Sequence, residues 1–398
     1  MNGLGAGAAC WARSLLRGTP RYLLLHVNSV CDARCRMCFT WDRMMDRWDA
    51  RGLPLEAHRK IARSLGDLPQ LTVSGGEPLL RRDLPEILSA YYTEANTRFF
   101  TVPTNALSAK RVERLVEKFY DASPGAHLNF CLPFHGVGKE FDEVMGVDGA
   151  FDRFLETWET IQRLRATRER LSTLLNFVMS KFNVSHWRET IAVARERFPE
   201  SPLGVALCRG QTHERDAGEV PIAEYEAAQR YLAEHRRRET TRQPYPLMFD
   251  TATGRMGEIV AEVARGERRD LGCGAGRHLA VIYDDGTVHP CETLEVVGMP
   301  AAREGEAAAP ASAALGNLAD FDFDLPRLLA AAASRRTTDW IANHPCARTW
   351  ENAVYAKIVH SPVELVRLGG KIAGRLVSGT RGPAAAQATR RPESGEMQ

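Results

Sequence analysis

The chain has 398 residues, with 52 lysines and arginines against 50 aspartates and glutamates, and 44% of its residues are apolar. This profile is ordinary for a globular protein and excludes a collagen-like, mucin-like or wholly disordered chain. The net charge of +2 gives no electrostatic reason to expect nucleic acid or an anionic membrane as a partner. At roughly 100–200 residues per domain, the length indicates two or three domains.

Cysteine usage indicates reduced thiols or metal ligands rather than disulfides. The nine cysteines are an odd number, and a chain of this length does not need disulfides to stabilise its core. No stretch approaches the roughly 20 consecutive apolar residues that cross a bilayer. Residues 1–20 predict a frayed or loosely helical lead-in, and Arg13 and Arg17 interrupt their apolar stretches, which argues against a signal peptide. We therefore expect a cytoplasmic protein without a membrane partner.

Short apolar runs alternate with helical patterns over residues 21–211. The runs that predict strands are Tyr22–Val27, Leu71–Val73, Arg98–Val102, Ala126–Leu132, Thr173–Val178 and Leu203–Leu207. The patterns that predict helices are Leu55–Leu65, Leu84–Ala95, Ala109–Tyr120, Phe151–Ala166 and Ser185–Phe198. This alternation predicts an α/β fold with a parallel sheet, either a partial α/β barrel or an open doubly wound sheet. In both folds the chemistry gathers at the carboxyl ends of the strands.

The remainder of the chain differs in character from these βα units. Residues 212–270 predict a charged helical connector, and the run Glu234–Arg242 within it lacks the interleaved aromatics of a nucleic-acid site. Residues 271–365 predict a second, small α+β domain, with a low-complexity loop at Met299–Ala314. The tail, residues 366–398, is predicted to be largely disordered.

The first cysteine cluster directly follows the first predicted strand. Cys31, Cys35 and Cys38 are spaced C-x3-C-x2-C. Three thiolates this close in sequence can ligate three irons of a cubane cluster and leave the fourth iron without a protein ligand. A zinc site is the alternative, but structural zinc takes four protein ligands, and no second half of such a site lies nearby in the sequence.

This spacing, at the end of the first strand of a six-unit α/β chain, resembles the radical S-adenosylmethionine (SAM) superfamily. The resemblance implies a partial (β/α)6 TIM-like barrel, a [4Fe–4S] cluster on the three cysteines, and SAM bound to the open iron. It further implies that the reduced cluster cleaves SAM to a 5′-deoxyadenosyl radical, which takes a hydrogen atom from the substrate. Met37 stands where the family often has an aromatic residue, a departure that leaves the thiolates intact.

Further motifs resemble the SAM-binding elements of that family. The string Ser74–Pro78 resembles the GGEP motif, which implies that Ser74, Gly75, Gly76 and Glu77 bind SAM, with Glu77 accepting from its amino group. The pair Thr104 and Asn105 resembles the TNG motif, with Ala106 in place of glycine, and an Asx turn is the alternative interpretation. Asn176 and Arg209, at the ends of the fifth and sixth strands, are candidates for binding the ribose or the carboxylate.

Other residues near the strand ends are less specific. Pro133 replaces a serine that many relatives carry after the fourth strand, and His135 is either a proton donor or acceptor or a structural residue. Cys131 and Cys208 are predicted to be small core residues rather than ligands, and Cys10 is expected to belong to neither cysteine site.

A second set of cysteines lies in the C-terminal region. Cys273 and Cys291 flank a predicted hairpin, residues 279–288, whose Asp-Gly turn is a strong hairpin signal. With Cys346, this set resembles the SPASM or twitch extension, but Arg348 and Asn352 stand where fuller relatives place cysteines. Three interpretations of this set remain open. It binds one auxiliary [4Fe–4S] cluster, with an open site or with a fourth ligand such as His344. Alternatively, the site has decayed and its cysteines are structural, or it binds zinc.

The resemblance implies an enzyme, and we predict an oxidoreductase. Little chain precedes the first cysteine cluster, so we expect no peptide-recognition domain there and favour a small-molecule substrate, such as a sugar, a cyclitol or a natural-product intermediate. A low-potential electron donor such as flavodoxin or ferredoxin is the implied partner. The alternatives are a peptide- or protein-modifying maturase and, in a different class, a non-catalytic iron–sulfur or zinc-binding protein.

Overall fold

The computed structural model describes most of the chain. The described residues are 3–17, 19–47, 52–234, 246–267, 273–297, 299, 301–302, 305–306, 308–344, 349–360 and 362–379. Within these residues, no helix is long and apolar enough to cross a membrane.

All six predicted parallel strands are present, and they form one side of a nine-stranded sheet. The nine strands are β1 (Tyr22–His26), β2 (Gln70–Ser74), β3 (Phe99–Pro103), β4 (His127–Pro133), β5 (Leu171–Met179), β6 (Leu203–Leu207), β7 (Leu279–Ile282), β8 (Thr287–His289) and β9 (Gly316–Asn317). Their order is β6-β5-β4-β3-β2-β1-β7-β8-β9, and the pairs from β6 to β7 are all parallel. The strands thus stand side by side in chain order, as in a barrel that is wound in one direction.

Helices connect the strands and cover the sheet. The first eight are α1 (Gly3–Arg17), α2 (Trp41–Asp46), α3 (Leu55–Leu65), α4 (Leu84–Glu94), α5 (Ala109–Ala122), α6 (Lys139–Met145), α7 (Ala150–Arg165) and α8 (Trp187–Arg197). The others are α9 (Ile222–Glu234), α10 (Pro246–Ala264), α11 (Glu292–Val297), α12 (Leu325–Ala330), α13 (Ala332–Asn343), α14 (Glu351–His360) and α15 (Pro362–Gly379). Short 3-10 turns lie at Pro78–Leu80, Val184–His186 and Leu318–Phe321.

Helix α3 shows how local sequence fixes these elements. It begins directly after Pro54, whose backbone is extended and not helical. It ends before Gly66, which caps the helix with a positive φ of 67°. Its buried residues include Ala57, Ile61 and Leu65, spaced four apart on one helix face. That spacing lays one apolar stripe against the sheet, which explains why both predicted ends of this helix agree with the structure.

The C-terminal hairpin extends the barrel sheet. The Asp-Gly turn was predicted correctly, since β7 and β8 pair antiparallel. However, β7 also pairs in parallel with β1, so Tyr22 lies beside Leu279 and Leu25 beside Ile282. The region predicted as a separate small domain therefore shares its sheet with the βα units.

The two ends of the chain are more helical than the sequence indicated. The N-terminal lead-in contains helix α1, of 15 residues. Residues 366–379, which were included in the predicted disordered tail, belong to α15, whereas residues 380–398 lie outside the described part of the chain. The predicted connector, residues 212–270, contains α9 and α10, and most of the charged run at its centre lies outside the described residues.

Candidate active site at the cysteine loop

Cys31, Cys35 and Cys38 lie on the loop that leaves the carboxyl end of β1. Cys31 is buried, and Cys35 and Cys38 are partly exposed towards a cavity inside the sheet. Burial, followed by the charge of Glu77, raises the pKa of the Cys31 thiol to about 12. Burial also raises the pKa of Cys35 well above its usual range, with added contributions from Cys38 and Cys31. The three thiols are thus desolvated and close enough to influence one another, and thiolates in such surroundings require a compensating cation.

The turn after β2 supports the beginning of this loop. The amide of Glu77 donates to the carbonyl of Val30 at 2.7 Å, and the side chain of Asn28 donates to the Glu77 carbonyl at 3.0 Å. A Cβ on Gly75 would lie 2.3 Å from the Asn28 carbonyl oxygen, and one on Gly76 would lie 2.2 Å from that of Val30. The glycines thus let the β2 turn pack backbone to backbone against the cysteine loop.

Two further segments hold the rest of the loop. The amides of Arg34 and Arg36 each donate at 3.0 Å to carbonyls at the end of α6, those of Met145 and Val144. On the other side, the amide of His213 donates to the Cys38 carbonyl at 2.9 Å. The loop is therefore held through its backbone from three directions, which fixes its shape whatever the side chains bind.

Glu77 is a buried carboxylate that joins the ends of β2 and β3. Its Oε1 accepts from the amide of Leu79 and from the hydroxyl of Thr104, both at 2.9 Å, and its Oε2 accepts from the amide of Asn105 at 2.6 Å. Burial raises the pKa of this carboxyl group to about 7 in spite of these hydrogen bonds. Its hydrogen bonds in this structure serve the protein framework, and at most one acceptor position remains for a ligand.

Asn105 forms the predicted Asx turn and also reaches the cysteine loop. Its Oδ1 accepts from the amide of Leu107 at 3.0 Å, while its Nδ2 donates to Asp32 at 2.7 Å and lies 3.8 Å from the Cys31 sulfur. Ala106, which replaces the glycine of the motif, has a positive φ of 60°. The backbone conformation that favours glycine is thus retained without the glycine.

A cavity of about 800 Å³ runs along the inner face of the sheet beside the cysteine loop. On β1 the residues alternate, so that Tyr22 and Leu24 line the cavity while Leu23 and Leu25 pack in the outer core. Helix α14 contributes to the opposite wall. The volume lies in the upper part of the range of ligand sites, roughly 300–1,000 Å³.

The predicted SAM-binding residues differ in their access to this cavity. Ser74, Asn176 and Arg209 line it. The guanidinium of Arg209 forms an ion pair with Glu351 and donates to the Leu207 carbonyl at 2.9 and 3.1 Å. Burial lowers the pKa of Arg209 to about 10. Arg209 is thus already paired, so it would bind a carboxylate only by sharing or exchanging Glu351.

His135 does not line the cavity within the described structure. It is buried, its Nδ1 accepts from the amide of Val178 at 3.3 Å, and its backbone carbonyl accepts from Asn183 at 3.1 Å. Burial lowers the pKa of its ring to about 3, so the ring is neutral at neutral pH. Of the two readings that the sequence left open, this environment favours the structural one.

Two buried polar groupings on the cavity side were not singled out from the sequence. His26, at the end of β1, contacts Glu292 at 2.8 Å, and both side chains are about 95% buried. Tyr22 contacts the Thr72 hydroxyl at 3.0 Å and donates to Asn352 at 3.3 Å. Polar residues on the cavity side of β1 could have been predicted from the sequence, because residues 22, 24 and 26 share one face of a strand and two of them are polar.

The remaining cysteines of the barrel region are buried or nearly so. Burial raises the pKa of Cys10 and of Cys131 to about 12, and that of Cys208 to about 11. Cys131 and Cys208 also line the cavity, so they are neutral thiols in its wall.

The second cysteine set is only partly described. Cys273 and Cys291 pack in the same apolar cluster, and burial raises the pKa of Cys291 to about 11 with a contribution from Cys273. Cys346 and Arg348 lie outside the described residues. Both nitrogens of His344 are engaged, with the Trp340 carbonyl at 2.8 Å and with Glu306 at 2.6 Å.

The donor set of the first loop fits an iron–sulfur cluster. Three desolvated thiols lie on one loop, two of them at the cavity, and iron–sulfur clusters are held by cysteine thiolates, each on a separate iron. Within the described ranges, no three His, Cys, Asp or Glu side chains lie close enough together to bind one metal ion.

Comparison with known proteins places this geometry in context. Residues 25–194 match the model of the Radical SAM superfamily. A GTP 3′,8-cyclase of Cronobacter sakazakii is 30% identical over 179 residues, which cover 40% of this chain and 52% of that protein. A GTP 3′,8-cyclase of Pectobacterium atrosepticum is 33% identical over 148 residues, covering 33% and 42%. The chain thus spans about half the length of these curated relatives.

Solved structures share the fold over a larger part of the chain. SuiB of Streptococcus suis, bound to its precursor peptide SuiA, has a TM-score of 0.55 at 17% identity, covering 80% of this chain and 66% of that one. The enzyme anSMEcpe, with bound AdoMet and the Cp18Cys peptide, has a TM-score of 0.53 at 13% identity, covering 89% and 99%. These likenesses confirm the predicted α/β fold with its partial TIM-like barrel.

Proposed function

We propose that the protein cleaves SAM reductively and abstracts a hydrogen atom from a small molecule, on the premise that residues 25–194 match the model of the Radical SAM superfamily. The observation that carries the proposal is the position of Cys35 and Cys38, which line a cavity that is also lined by Ser74 and Asn176. A radical formed at this loop would face directly into a space large enough for SAM and a second small molecule.

Cys31, Cys35 and Cys38 would hold the [4Fe–4S] cluster. When bound, the cluster and SAM supply an electron and a 5′-deoxyadenosyl radical that abstracts hydrogen. The chain itself keeps the loop in one shape through the backbone hydrogen bonds to Val30, Arg34 and Cys38. A rigid loop supports this chemistry because radical attack depends on a fixed distance between the reacting atoms.

Ser74 and Asn176 are the cavity-lining candidates for direct contact with SAM. Glu77 and Asn105 are proposed to position the cysteine loop. The carboxylate of Glu77 accepts from the backbone amide of Asn105, and the side chain of Asn105 approaches the sulfur of Cys31. Gly75 and Gly76 contribute by close packing against the loop rather than by side chains. In this proposal the motif after β2 positions the cluster loop as much as it binds the cofactor.

The pair of His26 and Glu292 supplies a proton acceptor if the reaction is an oxidation. Removal of two hydrogens from a carbinol or amine takes one hydrogen atom at carbon, one proton and one further electron. Glu292 lines the cavity and is backed by His26 at 2.8 Å, so the proton would go to this buried pair. The electron would go to a one-electron acceptor, for which an auxiliary cluster on Cys273 and Cys291 is the candidate.

An oxidoreductase of this kind also needs an electron to begin. We expect a low-potential donor such as flavodoxin or ferredoxin to supply it, in a cytoplasmic setting.

Peptide modification is the second candidate function. SuiB, a structural neighbour, is bound to its precursor peptide SuiA, and anSMEcpe is bound to AdoMet and the Cp18Cys peptide. The curated relatives, which are GTP 3′,8-cyclases, support a small molecule instead. We place the small molecule first because these relatives match at the higher sequence identity.

The proposal is tested by anaerobic reconstitution with iron and sulfide, followed by incubation with dithionite and SAM. We expect 5′-deoxyadenosine to form even without substrate, at a slow rate. An intact cluster that yields no 5′-deoxyadenosine would overturn the enzymatic function and favour the non-catalytic iron–sulfur alternative.

A further inference from the structure

The charges that line the cavity are almost all paired. Arg209 is paired with Glu351, and Glu292 contacts His26. Arg21 also lines the cavity, and among the described residues its side chain has no acidic partner. Its Nε is buried without a hydrogen-bond acceptor. Arg21 is therefore the cation that an anionic ligand in this cavity would meet.

The surroundings of Arg21 carry further positive charge. Burial, together with the positive charges of Arg21, Lys357 and Arg277, lowers the pKa of nearby His278 to about 4. Arg277 is neutralised by Asp339 at 2.6 Å, whereas Lys357 has no such partner among the described residues. Arg21 is the member of this group that lines the cavity, and the positive charge beside it favours one small anionic group at Arg21.

The rest of the cavity wall is mainly apolar. Large apolar side chains contribute from the N-terminal helix, the sheet and the C-terminal helices, namely Trp11, Phe99, Phe249, Met256, Trp350 and Leu365. Burying an apolar body against such a wall stabilises a complex by roughly 25 cal/mol per Å² of apolar surface. A sugar or a cyclitol would gain less from this part of the wall, because apolar side chains offer no hydrogen-bond partners to its hydroxyl groups.

The cation and the cysteines lie at opposite ends of the same strand. Arg21 directly precedes β1, and the cysteine loop follows it. A strand of five residues spans roughly 16 Å at 3.3 Å per residue. A ligand whose anionic group contacts Arg21 would thus extend along the barrel axis, with its other end near the cluster loop.

We propose that the substrate is a mainly apolar small molecule with a single anionic group, which binds at Arg21 while the remote end of the molecule faces the cysteine loop. This inference rests on the proposed function and narrows its substrate from small molecules in general to this class. A nucleoside triphosphate is disfavoured, because its phosphates need several cations, and among the described residues that line the cavity Arg21 is the arginine without an acidic partner.

Calorimetric titration of the reconstituted protein with SAM bound tests this assignment. The probes are decanoate, decan-1-ol and GTP, and the variants are Arg21→Gln and, as a matched control, Arg59→Gln on the exposed face of α3. We expect decanoate to bind more tightly than GTP. Arg21→Gln should weaken decanoate roughly 10- to 100-fold, the range for a lost hydrogen bond to a charged group, and leave decan-1-ol within about twofold.

Three results would overturn the assignment: no decanoate binding at millimolar concentration, tighter binding of GTP, or equal effects of the Arg21 and Arg59 substitutions on decanoate. Formation of 5′-deoxyadenosine is measured on the same samples. If it forms while decanoate fails to bind, the substrate class is wrong and the proposed function stands. If decanoate binds through Arg21 but 5′-deoxyadenosine never forms, the cavity assignment stands and the proposed function fails.

Discussion

Replacing Glu77 by glutamine should change the stability of the protein in a pH-dependent way. Burial raises the pKa of the Glu77 carboxyl to about 7, whereas in the unfolded chain it has its ordinary value. The folded protein therefore binds the extra proton between these two values, and the contribution of Glu77 to stability falls as the pH rises from about 4.5 through 7. Glutamine does not titrate, so Glu77→Gln removes this slope.

The magnitude follows from the two pKa values. Between pH 5 and pH 8, the contribution of Glu77 to the free energy of unfolding should decrease by roughly 2 to 3 kcal/mol. Glu77→Gln also places an amide donor against the amide of Asn105, which accounts for a loss that is the same at both pH values. The free energy of unfolding of the variant, relative to that of the unmodified protein, should thus be roughly 2 to 3 kcal/mol higher at pH 8 than at pH 5.

Urea unfolding of the metal-free, reduced protein at the two pH values measures this difference. Glu86→Gln is the matched control, because this exposed carboxylate on α4 lies 4.0 Å from Lys118 and its removal should be nearly neutral at both pH values. If the effect of Glu77→Gln is the same at pH 5 and pH 8 within about 0.5 kcal/mol, the carboxyl group titrates normally and the reasoning about its burial is wrong.

Three further predictions concern the buried histidines, a buried ion pair and the second cysteine set. Burial lowers the pKa values of His58, His127 and His135 to about 3, 4 and 3. The unfolded chain therefore binds more protons than the folded protein below about pH 6.5. Acidification from pH 7 to 5 should lower the free energy of unfolding by about 2 kcal/mol per ring, a loss that the titration of Glu77 partly offsets. Urea titrations that show no net loss of stability would contradict this prediction. Asp284→Asn should destabilise the fold by about 3 kcal/mol, because this carboxylate is fully buried and lies within 3.3 Å of two arginines. The control is Asp320→Asn, which replaces an exposed carboxylate. Equal melting temperatures for the two variants would refute this prediction. After Cys31, Cys35 and Cys38 are all replaced by alanine, roughly four irons per chain should remain if the second set binds an auxiliary cluster, and iron near zero would eliminate that cluster.

The fold could be predicted from the sequence because its strands and helices differ in periodicity. The ends of α3 and β6 agree with the predicted ranges, since Pro54 and Gly66 bound the helix and a short apolar run forms the strand. The pairing of β7 with β1 could not be predicted, because it joins residues more than 250 positions apart and no local pattern specifies such a partner. The helix beyond residue 366 was missed because its glycines and polar residues resemble a disordered tail.

The part of the candidate site whose residues lie close together in the sequence could be predicted. The cysteines of the first loop fall in one short motif, and the structure places Cys35 and Cys38 at the cavity. The role of Glu77 in the framework was not visible, because its partners Thr104 and Asn105 lie on the next strand end. Glu292 and Arg21 were also missed, since their importance depends on a cavity that exists only after folding.

The most direct measurement of the central claim compares 5′-deoxyadenosine production by two single-cysteine variants. Cys35→Ala removes a residue of the proposed cluster site, and Cys131→Ala removes a thiol that lines the same cavity without belonging to that site. Both are reconstituted with iron and sulfide, and each is incubated with dithionite and SAM. We predict that Cys131→Ala forms 5′-deoxyadenosine like the unmodified protein and that Cys35→Ala forms none. Equal production by the two variants would contradict the assignment of the cysteine loop as the radical-generating site.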